Sequence, residues 1–167
     1  MRGIILSYLR SVRYTLRGIR FLVWNFVECE FVDFDLSMVI LTESMFQEVK
    51  FSGCKMLGLF FESAKPFLFQ VSFDQFNLAS TSFAEVNMQN TSFKDCKMVG
   101  VDFTEANLSN TVLKVCDLSN ATFQNKNLSK TDLRLAQNFS IDIYSNHVKN
   151  VIVLNINLEG FVKGLGG

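Results

Sequence analysis

His147 is the only histidine in this chain of 167 residues, so a Ser/His/Asp or Cys/His arrangement for nucleophilic catalysis would have to be built around one side chain. The four cysteines, Cys29, Cys54, Cys96 and Cys116, raise zinc ligation and disulfide pairing as further possibilities. None of them has CxxC spacing and no secretory leader precedes them, a pattern that favours free thiols in a reducing cytoplasm. Neither GxGxxG nor GxxxxGK[ST] occurs, so a nucleotide site has no support. Among the carboxylates, Glu85 and Glu105 stand twenty residues apart, and carboxylate pairs are what glycosidases use. What each of these groups can do depends on the elements that carry it.

Those elements follow from a period of five. From Phe26, every fifth residue is Phe, Leu or Met through Phe31, Leu36, Leu41, Phe46, Phe51, Met56 and Phe61. From Leu68 the same step runs through Phe73, Leu78, Phe83, Met88, Phe93, Met98, Phe103, Leu108, Leu113, Leu118, Phe123, Leu128 and Leu133. These 22 positions draw on residue types that make up only 43 of the 167 residues. Two residues before each stands Cys, Val, Thr, Ala or Ser in 16 of the 22 cases, and all four cysteines occupy that slot. The exceptions are Trp24, Phe34, Leu59, Pro66, Phe76 and Lys126; the bulky ones are expected to bulge a corner, and Lys126 to bend outward so that its ammonium stays in water.

A five-residue period fits neither the 3.6 of a helix nor the alternation of a strand. It fits a chain that turns a corner every five residues, with four sides to a coil and coils stacked at roughly the 4.8 Å of paired strands. The large apolar residue fills the tube, the small one fits beside it, and the other three face water. Runs such as "VDFTEANLSN" (Val101 to Asn110) and "CDLSNATFQN" (Cys116 to Asn125) resemble the A(D/N)LXX consensus of pentapeptide-repeat proteins over roughly residues 19 to 135. The resemblance implies an all-β fold, a right-handed quadrilateral β-helix of 5.5 coils, about 26 Å tall at strand spacing. The expected organisation is a cap or basic segment at 1–18, the β-helix at 19–135, and a C-terminal region at 136–167. In that fold Cys96 and Cys116 stack inside a packed tube, which disfavours a tetrahedral zinc site. Glu85 and Glu105 stack on a flat outer wall with no cleft around them. The reading is therefore no enzyme, with no catalytic, cofactor-binding or metal-binding residues.

Between Phe61 and Leu68 the step is seven, which inserts two residues near 62–67. Pro66 suits an interrupted ladder because it brings no backbone donor. A plain bulge is one reading; a partner site is the other, since Phe60, Phe67 and Phe69 are expected to point outward around it.

The ends differ from the repeat. Arg2, Arg10, Arg13, Arg17 and Arg20, with no acid among them, fall on one arc of a helical wheel. A cap merging into the first coil, a partner-binding helix and a helix lying on an anionic membrane are the three readings. Leu16 and Phe21 continue the five-residue step and Gly18 weakens a helix, which favours the first. No apolar run approaches the eighteen or so residues that span a bilayer. After Leu133 the step stops: "AQNFSIDIYSNHVKN" reads as an irregular polar loop, "VIVLNI" as a strand, and Leu158, Phe161, Val162 and Leu165 as the stripe of a short helix capped by Asn157. That helix covers the open end of the tube or joins two copies as a homodimer.

A net charge of zero argues against direct nucleic-acid binding. Outside the first twenty residues, however, 11 Lys and Arg face 16 Asp and Glu. By the register, one wall carries Glu43, Glu62, Glu85, Asp102 and Glu105 on outward positions with no Lys or Arg among them, and the adjoining wall stacks Asn87, Asn107 and Asn127 as a polar ladder. The expected function is recognition of another protein by a rigid wall. The resemblance adds a specific version, in which the rod imitates DNA, binds a type II topoisomerase such as gyrase or topoisomerase IV, and protects it from quinolones or toxins.

Overall fold

Each five-residue side ends in a backbone turn. The residue two places after nearly every central apolar one has φ near +57°, from Glu28, Asp33 and Met38 through Asn110, Val115 and Asn120 to Lys130, with Gly53, Gly58 and Gly100 filling the same place in their sides; Ser63, Gln70 and Leu135 depart from it. On most sides the N–H three residues after the central one donates to the central carbonyl, as in Thr81 to Leu78, Val86 to Phe83 and Ala106 to Phe103. A positive φ at the third residue with that hydrogen bond is the pattern of a type II turn. Repeating it every five residues closes a square.

The computed structural model describes residues 5–6, 15–65 and 69–161, and over them the chain is a right-handed parallel β-helix with four walls. Two walls carry short strands: β1 (Ile5–Leu6), β2 (Asn25–Val27) and β4 (Met45–Gln47) form one sheet, and β3 (Glu30–Val32), β5 (Val49–Ser52), β6 (Val71–Asp74), β7 (Ser92–Lys94) and β8 (Val112–Lys114) form the other. The remaining walls hold single parallel bridges, as in the ladder Thr15, Asp35, Lys55, Asn77, Lys97, Asp117, Gln137. The step up a ladder is twenty residues, and twenty-two where the repeat slips: Lys65 donates to the Ser44 carbonyl at 2.8 Å, whereas Val49 pairs with Val71. The extra pair lies after Lys65.

The core is the column of central residues, and every described member of it is buried. Rings one coil apart stack: Phe31, Phe51, Phe73 and Phe93 follow one another at centroid spacings of 5.0, 5.4 and 4.9 Å, and Phe61, Phe83, Phe103 and Phe123 at 4.7, 5.7 and 5.4 Å. That spacing is close to the distance between paired backbones, so the ladder itself sets the stacking. The small slot has a second purpose that size alone does not show. Its thiols and hydroxyls donate to the carbonyl of a central residue 23 positions earlier: Cys54 to Phe31, Cys96 to Phe73, Cys116 to Phe93, Thr111 to Met88, Thr131 to Leu108 and Ser44 to Phe21. Across the slip the interval becomes 25, from Thr81 to Met56. Thr91 is the exception, its buried hydroxyl having no hydrogen-bond partner.

Several expectations need correction. Residues 136–152 are a further coil and not an irregular loop: Gln137 pairs with Asp117, His147 with Asn127 and Ile152 with Asp132. The predicted strand at 151–156 reduces to the bridge at Ile152, and the helix that follows is a 3₁₀ helix, Asn155–Phe161, which begins ahead of Asn157. It is tied down where the Ile141 N–H donates to the Gly160 carbonyl and where Phe161 packs edge-on to Phe139 at 5.4 Å. At the other end, where a cap merging into the first coil was the favoured reading, Ile5–Leu6 pair in parallel with Asn25–Phe26, and Leu16 and Gly18 bond to the coil above, so these residues continue the solenoid. Arg2, Arg10, Arg13 and Pro66 lie outside the described residues. Finally, the bulky slot residues Phe34, Leu59 and Phe76 are buried within the core, Phe34 against Phe31 and Phe76 against Phe73.

Candidate functional site

The acids of the candidate wall reach its surface through the corner chemistry just described. On several sides the residue before the central one is an Asp or Asn whose side-chain oxygen accepts the N–H two residues on: Asp102 from Thr104 at 2.8 Å, Asp117 from Ser119 at 3.1 Å, and Asn107 from Ser109 at 3.1 Å. This is the Asx-type turn that an Asp or Asn offers its own backbone. Asp102 is therefore held in place, and the Thr104 hydroxyl adds a 2.6 Å bond to the same oxygen. Asp117, bonded by Asn138 and Ser119, has its carboxyl held below the usual carboxylate range. The amide ladder on the adjoining wall has the same origin, and one inter-coil bond, Asn107 Nδ2 to Asn87 Oδ1 at 3.1 Å, is added to it.

On the wall itself, bridges connect Phe60 to Ser82, Ser82 to Asp102 and Asp102 to Thr122. Glu85 and Glu105 occupy neighbouring corners of one column, the Glu85 N–H donating to the Thr104 carbonyl. Glu43, Glu62, Glu85 and Glu105 are exposed and Asp102 is half-buried. Among the described residues Glu62, Glu85, Asp102 and Glu105 have no salt-bridge partner, while Glu43 lies 4.0 Å from Lys65. Arg20 stands at the foot of the same wall, bridged to Ile40.

The aromatic cluster expected at the slip divides. Phe60 is 58 % exposed on the acidic wall. Phe69 is buried, with its ring edge-on to Phe46 at 6.0 Å and Phe61 at 5.5 Å, because it fills the core beside the slip and so cannot form an outer contact. Phe67 lies outside the described residues.

Lys126 also departs from expectation. It is 2 % exposed, and its Nζ sits 5.7 Å from the Phe103 ring centre and 5.9 Å from that of Phe123 with no hydrogen-bond partner. The slot directs its stem into the tube, and two ring faces receive the amine there in place of water. Burial pushes its pKa down to about 7, and the nearby Asp102 and Glu105 resist that shift. Nothing in the one-letter code separates this buried lysine from a solvated one, except that the slot points inward at every other coil.

The four cysteines are buried. Burial pushes the Cys54 thiol up to about 11, and the hydrogen bond with Cys116 together with burial holds Cys96 above the thiol range. His147 is exposed on the last coil. Among the described residues no group of three His, Cys, Asp or Glu is placed to hold a metal ion, and no helix is long and apolar enough to cross a membrane. Of the four C-terminal residues expected to meet a second copy, Leu158 is exposed, Phe161 turns back onto Phe139, and Val162 and Leu165 lie outside the described residues.

Four-residue turns, an inward apolar column, a donor slot and an Asx residue ahead of the column together define a quadrilateral parallel β-helix of five-residue repeats. Residues 67–137 match the model of the pentapeptide repeat region. No curated protein matches the sequence. Two trypsin-treated forms of QnrB1, a plasmid-mediated fluoroquinolone resistance protein, share the fold. One is 18 % identical with a TM-score of 0.69, over 92 % of this chain and 84 % of that one. The other is 16 % identical with a TM-score of 0.70, over 99 % and 98 %.

Proposed function

We propose that the protein is a rigid, non-enzymatic, cytoplasmic binding module whose acidic wall receives another protein, and that it associates with a second copy through its C-terminal end. The observation that supports the first part is the set of four carboxylates, Glu62, Glu85, Asp102 and Glu105, on one wall without ion pairs among the described residues. Unpaired charge on a stiff frame steers and orients a basic partner more than it stabilises the fold. The test is capture of a partner from native extract by the wild type and by a Glu85→Lys, Glu105→Lys variant. A protein retained by both alike would remove the wall from the reading.

A second reading is favoured by the wall together with the fold it shares with QnrB1: the partner is a type II topoisomerase, whose DNA-binding surface is basic. A gyrase supercoiling assay with a quinolone decides it. Protection by the wild type that the double variant loses supports this reading. Neither protection nor inhibition at micromolar protein ends it.

A further inference from the structure

The wall opposite the acidic one, which carries β3, β5, β6, β7 and β8, changes character over its last coils. Lower down, Lys94 is matched by Asp74 at 3.4 Å and Asp95 at 3.9 Å. Higher up, the ladder runs from Val112 to Asp132 to Ile152, and aliphatic side chains stand outward: Val112, Val115, Leu135, Ile152 and Leu154 are each 37–46 % exposed. Val112, Leu135 and Leu154 line one cleft of about 580 Å³, with Lys114, Asp132 and Arg134 around them. Asp132 fixes Arg134 there, accepting from its Nε and Nη2 at 2.6 to 3.1 Å. Lys130 and Lys149 are stacked at the corner that leads into this wall, the Lys130 N–H donating to the Lys149 carbonyl at 2.9 Å. Lys114, Lys130 and Lys149 are exposed and, among the described residues, have no salt-bridge partner.

A group of exposed aliphatic side chains marks a contact surface, and the charges around this one select what covers it. A basic segment would meet three like charges. A purely apolar one would strip water from the lysines and leave them unpaired, at a cost. A bilayer takes up apolar side chains that project from a face, whereas these line a concavity, which suits a side chain inserted into it. An acidic segment with an aliphatic residue meets both demands, because lysine stems extend the apolar floor while their ammonium groups reach carboxylates at its edge. We propose that this face docks an acidic segment of a partner protein, with one aliphatic side chain of the segment seated among Val112, Leu135 and Leu154 and its carboxylates drawn to Lys114, Lys130 and Lys149. The rod then has places for partners of opposite charge on opposite faces, and this one stands or falls without the acidic wall.

The full-length protein, methyl-labelled at leucine and valine, is titrated with a capped octapeptide that carries a central leucine flanked by Asp and Glu, and with the same peptide in Asn and Gln. The acidic peptide is expected to shift the methyl signals of Val112, Leu135 and Leu154 and to weaken as salt is raised. The amide peptide should bind at least tenfold more weakly, and the acidic peptide with alanine in place of leucine about fivefold more weakly. Lys114→Glu with Lys130→Glu should cost the acidic peptide at least tenfold in affinity, and Leu135→Ser about threefold. Equal binding of the amide peptide overturns the proposal, and so does the absence of shifts at the three methyls up to millimolar peptide; neither outcome depends on a variant folding. Co-sedimentation with anionic lipid vesicles that Lys114→Glu, Lys130→Glu abolishes would assign the face to a membrane and overturn the proposal as well. A scattering mass that rises with protein concentration and falls back in the same variant would assign it to a second copy, with the same result.

Discussion

Lys126 shows how much one residue can add to a repeat that otherwise specifies itself. Its amine is buried between Phe103 and Phe123 without a hydrogen bond, and burial pushes its pKa down to about 7. In the unfolded chain an ordinary lysine keeps its proton to about pH 10.4. Between those values the unfolded state holds more protons, so stability from this group rises as pH goes from about 7 towards 10. Below pH 7 both states are protonated and the full cost of the buried charge remains. Lys126→Met keeps the stem and removes the charge, and should stabilise the protein by roughly 1–4 kcal/mol at pH 6. Thermal melts of both proteins should show that gap shrinking as pH rises through 7 to 10; a constant gap would mean the amine is solvated. The inward direction of the slot is readable in the sequence from its sixteen small residues. What is not readable is that two ring faces make an inward lysine tolerable, because the stacking of Phe103 on Phe123 is a property of coils twenty residues apart.

The corners carry the next level. Gly, Asn and Asp recur at the positive-φ position, but Val23 and Val115 occupy it too. A β-branched residue there is strained by roughly 1–2 kcal/mol. Val115 is 45 % exposed, so replacing it loses little buried surface. Asn110 and Asn120 hold the flanking corners at φ 57° and 56°, and Val115→Asn should raise stability by about 0.5–1 kcal/mol, measured by denaturant melts with an unchanged m-value. No gain would show that the corner relaxes around valine. The same level explains which walls were legible. Twenty-one of the 22 central positions are described and all are buried, since burial of a large apolar residue every five is what the pattern encodes. The last coil was not, because Asn138 stands where a large apolar residue was expected while Phe139 and Ile141 are buried instead. Its backbone nonetheless keeps the ladder, and Asn146 takes over the slot, donating to the Phe123 carbonyl 23 residues earlier. A donor rule at the slot, in place of a size rule, would have found that coil. The slip was legible as a step of seven, but not that Phe69 would turn in, since its contacts with Phe46 and Phe61 come from different coils.

At the scale of the whole molecule the open question is what covers the end of the tube. The 3₁₀ helix closes one edge: Phe161 rests on Phe139, and Gly160 approaches the same ring so closely that a Cβ there would have no room. Ile152, Leu154, Ile156 and Leu158 remain exposed at that end, Ile156 by 79 %. An apolar group of this kind at one end of a rod is self-complementary under a two-fold axis, which buries the same residues on both copies. The proposed pairing therefore predicts a dimer of twice the 19.0 kDa chain, held by Ile156 and Leu158 rather than by Phe161. Ile156→Glu with Leu158→Glu should give a monomer by light scattering with little change in the melting temperature of the isolated coil stack. Phe161→Glu should behave differently, lowering stability by roughly 1–3 kcal/mol because its ring is packed within its own chain. A wild type that scatters as a monomer at tens of micromolar, or a double variant that stays dimeric, would remove this end as the interface.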